Sequence, residues 1–389
     1  MKIVDVCAFY APQGGGVRTY IDRKLASGPA MGHEIVVIAP GETNRVEERG
    51  PGARIIWVES PRFPVDFKYR YFASAEVLHA LLDQERPDIV EASSPWRSAS
   101  MVAAWRGDAL RALIMHADPL SAYAYRWFED VASQSTVDRQ FDWYWRHLLR
   151  LDARFDAVVS AGASLTDRLR QGGLRRVVTI PMGTEPHLFS PELRDEDLRA
   201  RLLARCGLGP DATLLLGVGR HAPEKRWPMI IDAVTMAGVN APVGLVLIGN
   251  GRDRAKLLRR AGDNPHVHFL SPIADRPALA RLLSSGDALV HGCEAETFGI
   301  IAAEARASGL TLIVPDRGGA ADQAREAGGY CYASGDTRAA AAAIGTFLTD
   351  RQTGPVATKP APPPRSMDDH FAELFALYHN MRMPHRIAA

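Results

Sequence analysis

The densest chemistry in the sequence lies in His291-Gly292-Cys293-Glu294-Ala295-Glu296-Thr297-Phe298-Gly299-Ile300-Ile301-Ala302-Ala303-Glu304-Ala305. Glu296 and Glu304 are separated by seven residues, and Thr297, Phe298 and Gly299 supply backbone amides where a helix would start. One carboxylate then sits at the helix mouth and the other two turns inside it, facing the same cleft. Carboxylates suit sugar and ribose hydroxyls, and amides suit phosphate or a sugar hydroxyl. An acidic helix N-terminus favoured by the dipole accounts for Glu296, but not for the glycine and the second glutamate together.

Two other stretches offer anion chemistry. Leu216-Gly217-Val218-Gly219-Arg220-His221-Ala222-Pro223-Glu224-Lys225-Arg226 places Arg220 and Lys225 just beyond the carboxyl end of an apolar run, where open α/β sheets bind ligands. Arg220 can fork onto phosphate oxygens while Lys225 adds a compact point charge; a solvated basic turn is the plainer alternative. Gly14-Gly15-Gly16 follows the first apolar run and opens a helix-like stretch, so its backbone can approach an anion at helix-start amides. The same glycines would also suit a flexible turn. They depart from the G-x-G-x-x-G dinucleotide pattern, and the second apolar run ends Val37-Ile38-Ala39-Pro40 with no acidic residue, which disfavours a dehydrogenase. Asp195-Glu196-Asp197 is an acidic D-x-D in a charged helix-like stretch and reads as solvated rather than metal-binding. No metal site is expected, nor a flanking acid and base pair of the kind a glycosidase needs.

These residues must be held by α/β scaffolding. Short apolar runs at 3–8, 34–39, 54–58, 88–92, 112–116, 156–160 and 177–180 alternate with longer helix-like stretches, and a second series follows at 214–218, 245–248, 266–270, 288–290 and 311–314. Such alternation predicts parallel sheets with right-handed crossovers. At 389 residues two domains are the natural prior. The expected division is a first domain over 1–185, a second over 186–357, and a Pro-rich linker with a last helix over 358–389. Phe371, Leu374, Phe375 and Tyr378 recur at three and four in that helix, which should dock on a body of the protein.

Composition excludes several classes. Lys plus Arg (46) balances Asp plus Glu (45), so no overall field favours nucleic acid. Cys7, Cys206, Cys293 and Cys331 lack metal or redox spacing and read as reduced packing residues. No signal-peptide pattern opens the chain, and no segment approaches the roughly 20 apolar residues of a membrane span. The expected location is cytoplasmic, with peripheral contact at the inner face of a membrane still open. Two aromatic and basic segments, 63–72 and 141–147, suit lipid headgroups or sugars as well as they suit half-buried helix faces.

The ordered series Gly14-Gly15-Gly16, the His116 loop, Ile180-Pro181-Met182-Gly183-Thr184-Glu185, Gly219-Arg220 with Lys225, Gly249-Asn250-Gly251, Val267-His268-Phe269-Leu270, Glu296 with Glu304, and Gly318-Gly319 resembles the family 4 retaining glycosyltransferases of GT-B architecture. The resemblance covers nearly the whole chain. It implies two facing Rossmann-like domains around a cleft, with a C-terminal helix crossing back to the first domain. It further implies that Arg220 and Lys225 neutralise a diphosphate leaving group, helped by the amides of Gly15 and Gly16, with Gly249 beside the donor. Glu304 then takes the ribose, Glu296 with the Thr297, Phe298 and Gly299 amides holds the transferred sugar, and Phe269 and Leu270 wall the base. His116 matches a first-domain histidine near the reacting sugar; the family's His-Asp is here His116-Ala117-Asp118, which puts the aspartate's role in doubt.

The expected activity is metal-independent, cofactor-free, retaining transfer of a hexosyl unit from a UDP- or GDP-linked sugar, with a slight preference for UDP, to a glycan or lipid-linked acceptor. A sugar-nucleotide epimerase or phosphorylase, and a noncatalytic sugar-nucleotide-binding assembly subunit, are the alternatives.

Overall fold

The computed structural model describes residues 1–11, 16–64, 69–118, 120, 134–185, 187–354 and 365–383. It divides into two compact units. Of the described residues, the first holds those in 1–118, 134–181 and 367–383, and the second those at 120 and in 182–366.

In the first unit, strands β1 (Lys2–Val6), β2 (Glu34–Gly41), β3 (Arg45–Gly50), β4 (Ala53–Glu59), β5 (Ile89–Ala92), β6 (Leu110–Met115), β7 (Ala157–Ser160) and β8 (Val177–Thr179) form one sheet in the order β3-β4-β2-β1-β5-β6-β7-β8. Every pairing is parallel except β3 with β4. The exception escaped the sequence reading because Arg-Val-Glu-Glu-Arg-Gly has no apolar run. It is a mostly exposed edge strand, and its charges discourage further pairing.

The second unit holds β9 (Thr213–Val218), β10 (Val243–Ile248), β11 (Val267–Leu270), β12 (Ala288–Val290), β13 (Thr311–Pro315) and β14 (Tyr330–Tyr332), all parallel, in the order β11-β10-β9-β12-β13-β14. Leu214, Leu216, Val246 and Ile248 pack into one core, and Leu215, Val243, Leu245 and Leu247 into another. That alternation puts successive side chains on opposite faces. Both faces are covered, so the strands read as continuous apolar runs. Strand β14 was too short, behind Gly328-Gly329, to be read as such a run. Its Cys331 is exposed, whereas Cys7, Cys206 and Cys293 are buried, so the packing reading fails for Cys331.

Chain order reverses direction across each sheet between β1 and β5 and between β9 and β12. At such points the connections leave to opposite sides and open a crevice at the strands' carboxyl ends.

The helix Met367–Arg382 returns to the first unit, burying Phe371, Leu374, Phe375 and Tyr378. It meets the helix Gly16–Ala30, where Asp368 accepts hydrogen bonds from Arg23 at 2.8 Å and Ser27 at 2.7 Å. The expected proline-rich linker, 358–364, lies outside the described residues.

Candidate active site

Local backbone geometry brings three loops of the second unit together at the ends of β9, β10 and β12. The Gly219 amide donates to Ile248 O at 3.0 Å and the Gly249 amide to Leu270 O at 3.1 Å. A Cβ on Gly249 would stand 2.0 Å from Gly219 O, so only glycine permits this approach. Beyond Gly219 the chain makes a single 3-10 turn, Pro223–Lys225, and Arg226 reverses it in the left-handed region at φ 49°. That reversal sends Lys225 and Arg226 toward the loop after β12.

There Lys225 Nζ donates to Glu296 Oε1, and Arg226 Nη2 donates to Glu294 Oε1 at 2.8 Å. The Lys225 side chain is 17% exposed and that of Glu296 24%. Burial alone would lower the lysine pKa and raise the glutamate's. Their mutual attraction outweighs it, so Lys225 lies above the usual lysine value and Glu296 well below the usual carboxylate range. Buried His291 stands 3.5 Å from Glu296 through Nε2, and burial lowers its pKa.

The loop bearing Glu296 is locked from behind. The Gly319 amide donates to Glu296 O at 2.6 Å. A Cβ on Gly319 would lie 2.4 to 2.6 Å from Phe298 backbone atoms, and one on Gly318, at φ +79°, 2.3 Å from Glu294 O. Gly299 caps the helix Ile300–Ala307 in the left-handed region. The expected helix start after Thr297-Phe298-Gly299 is therefore present, with the Phe298 side chain buried.

The two carboxylates of the motif have separate partners. Glu304, 3% exposed, accepts from Arg276 Nη2 at 2.5 Å, and Arg276 Nε also stands 3.6 Å from Glu185. Burial raises the Glu304 pKa against the pull of Arg276. The two expected cations also differ: the Arg220 side chain is 70% exposed and donates to Glu224 at 2.6 Å, while Lys225 is held inward. Phe269 meets buried His221 edge-on at 6.1 Å and lies under the Arg254 guanidinium at 5.8 Å. Leu270 is half-buried beside the core.

His291, Cys293 and Glu296 bring potential ligand atoms within 4.8 Å of one another. Burial, then the Glu296 charge, pushes the Cys293 thiol up to about 12, and the Lys225 ammonium already neutralises Glu296. A protonated thiol beside a paired carboxylate is a poor donor set for a cation. Asp195 caps the helix Glu196–Arg205 by accepting from Leu198 N at 2.8 Å.

In the first unit, half-buried His116 follows β6, with Nε2 3.3 Å from Ser93 Oγ. Burial lowers its pKa to about 4. Arg168 engages Asp118 at 2.7 Å. Gly16 opens the helix Gly16–Ala30, and Gly14 and Gly15 lie outside the described residues. Of the aromatic and basic segments, 65–68 lies outside the described residues, Phe72 and Tyr144 are buried, and Trp143 is 53% exposed. No described helix is long and apolar enough to cross a membrane.

A mostly parallel and an all-parallel sheet, each with a crevice at its strands' carboxyl ends, and a half-buried cation and carboxylate at the second switch point define a two-domain α/β protein with a candidate anion-binding site. Residues 204–359 match the family model described as glycosyl transferases group 1, and residues 15–183 the glycosyl transferase 4-like domain. Among curated relatives, a GDP-mannose-dependent alpha-(1-6)-phosphatidylinositol dimannoside mannosyltransferase of Mycobacterium tuberculosis is 30% identical over 317 residues, 81% of this chain and 79% of that protein. A GDP-mannose-dependent alpha-mannosyltransferase of the same organism is 31% identical over 331 residues, 83% and 81% of the two chains. The sucrose-phosphate synthase structure from Thermosynechococcus elongatus superposes with a TM-score of 0.71 at 20% identity, covering 98% of this chain and 96% of that one. The chain belongs to the group 1, family 4 glycosyltransferases. It is a hexosyltransferase of GT-B architecture.

Arg276, His291 and the cluster Asp5, Lys24 and Glu91 were not singled out from sequence. The cluster did leave a signal: a charged residue inside each of two strands otherwise reading as doubly buried, Ile-Val-Asp-Val and Ile-Val-Glu-Ala.

Proposed function

We propose that this enzyme transfers an α-mannosyl unit from GDP-mannose to a phosphatidylinositol mannoside or a closely similar glycolipid, without a metal ion. The observation that carries the chemistry is the half-buried Lys225–Glu296 pair beyond the end of β12. The two curated mannosyltransferases bear on the substrates and turn the slight preference for uridine toward guanosine.

In the proposed reaction the glycosidic bond to the diphosphate breaks as the anomeric carbon becomes oxocarbenium-like, and negative charge grows on the diphosphate. Lys225 and Arg220 meet that charge where it develops. Glu296 and the Thr297, Phe298 and Gly299 amides hold the mannosyl hydroxyls, Glu304 the ribose, and Gly249, Phe269 and Leu270 the nucleoside side. His116, neutral at physiological pH, contacts the transferred sugar as a hydrogen-bonding group. The acceptor hydroxyl attacks from the leaving-group side and its proton passes to a donor phosphate oxygen, which preserves configuration.

A lipid acceptor fits the exposed Trp143, Arg146, Leu149 and Arg150, which recur at three and four on the helix Asp142–Asp152. An aromatic ring among arginines suits the headgroup layer of an anionic membrane. Co-sedimentation with anionic but not neutral vesicles, weakened by Trp143→Ala, is expected, and no sedimentation removes membrane contact from the proposal.

The primary test is transfer of labelled mannose from GDP-mannose to phosphatidylinositol mannosides, with and without chelator. A donor at 100 times its Kd should stabilise the fold by about 2.7 kcal/mol, so a thermal-shift panel of nucleotide sugars reports donor choice independently. Transfer only from a uridine-linked donor, or activity abolished by chelator, would overturn the reading.

A further inference from the structure

A buried ionic cluster lies in the first unit, behind His116. Asp5 in β1 and Glu91 in β5 are direct register partners on neighbouring strands, and both are fully buried. Like charges so placed repel. Between them Lys24, also fully buried, donates through Nζ to Asp5 Oδ2 at 2.7 Å and to Glu91 Oε2. Tyr378, from the returning helix, donates to Glu91 Oε1 at 2.7 Å. Burial, then the Asp5 charge, raises Glu91 to about 7, while Asp5 stays below the usual range because Lys24 and Ser93 offset its burial. A cluster of this kind is a poor way to gain stability, since well-packed apolar residues often do as well or better.

Its outlet is a serine. Ser93 Oγ donates to Asp5 Oδ1 at 2.7 Å and stands 3.3 Å from His116 Nε2. A serine hydroxyl has one proton. With that proton committed to the Asp5 carboxylate, the oxygen can only accept from His116, so Nε2 carries the imidazole proton and Nδ1 the lone pair. The ring is held laterally by Tyr20, edge-on at 4.7 Å. Tyr20 OH is in turn 3.1 Å from His370 Nε2 on the returning helix, and His370 Nδ1 is 3.0 Å from Pro181 O.

We propose that Ser93 and Asp5, anchored by Lys24, Glu91 and Tyr378, are positioning residues that hold the His116 ring in one orientation and as the Nε2–H tautomer. The returning helix thereby supports the site as well as the fold. The inference rests on the proposed role of His116 at the transferred sugar.

The test is the tautomer itself, read by long-range proton–nitrogen correlation on protein carrying 15N-histidine, with His116→Gln as the blank that assigns one of the 12 histidines. Wild-type protein should show Nε2–H. Ser93→Ala should give a tautomer mixture and lower kcat by about tenfold, the worth of one neutral hydrogen bond, with donor KM unchanged. Ser93→Thr, which keeps the hydroxyl, should restore both. An Nδ1–H tautomer in the wild type, or one unchanged in Ser93→Ala, overturns the proposal. If instead the tautomer behaves as expected but His116→Gln transfers mannose at the wild-type rate, the positioning device stands and the assigned role of His116 fails.

Discussion

Replacing Lys225 by methionine separates two jobs that the lysine performs at once. The substitution keeps the stem's bulk and removes the ammonium that pairs with Glu296. Breaking a buried ion pair costs roughly 3–5 kcal/mol because it strands a charge. Glu296 is 24% exposed and has His291 at 3.5 Å, so water and an imidazole proton can relieve part of that cost, and we expect about 2 kcal/mol of lost folding stability. The catalytic loss is separate. Removing a pre-placed group that meets developing charge lowers kcat by about 10²- to 10³-fold. Urea denaturation and saturating-donor transfer rates measure the two effects. Adding Glu296→Gln removes the stranded carboxylate, so the double variant should regain most of the stability and none of the rate. A double variant that recovers the rate along with the stability would show that Lys225 serves only Glu296. A single variant within threefold of the wild-type kcat would remove the leaving-group role outright.

Other outcomes follow from the same geometry. Gly319→Ala puts a methyl group 2.4 to 2.6 Å from the Phe298 backbone; the Glu294–Gly299 loop must move, costing about 1–3 kcal/mol and most of the activity, and an unchanged melting temperature would contradict the locked loop. His116 has a folded pKa of about 4 against an ordinary 6.5. The unfolded state therefore binds more protons between these values, and this residue's contribution to stability is whole above pH 6.5 and declines as pH falls toward 4; His116→Gln should flatten that component of stability against pH. Phe371→Ala empties a fully buried position on the returning helix and should cost about 3–5 kcal/mol, measurable by chemical denaturation. Arg276→Ala leaves buried Glu304 without its 2.5 Å partner and should raise its pKa further, weakening donor binding most at low pH, where the carboxylate is protonated; titrating donor affinity across pH 5 to 8 checks this.

Much of the fold was legible from sequence because its signals are local. Strands covered on both faces are apolar at nearly every position, so β1, β2, β9 and β10 announce themselves, and Phe371, Leu374, Phe375 and Tyr378 mark a buried helix face by spacing alone. The charged edge strand β3 and the three-residue β14 carry no such pattern. The candidate residues were also legible as side-chain types in place, Arg220 and Lys225 just beyond a strand end and Glu296 and Glu304 either side of a helix start. Which of them meet was not. Lys225 reaches Glu296 across 71 positions of sequence, and Arg276 reaches Glu304 across 28. These pairings depend on a left-handed turn at Arg226, on glycine contacts too close for a Cβ, and on strand order in a finished sheet. The Asp5, Lys24, Glu91 and Tyr378 cluster is the extreme case, for its last member lies 287 residues from the glutamate it supports. Sequence determined which groups the chain carries and which face of each element is buried. Only the tertiary structure decided which charge neutralises which, because that choice is made by distances of a few ångströms between segments that are strangers along the chain.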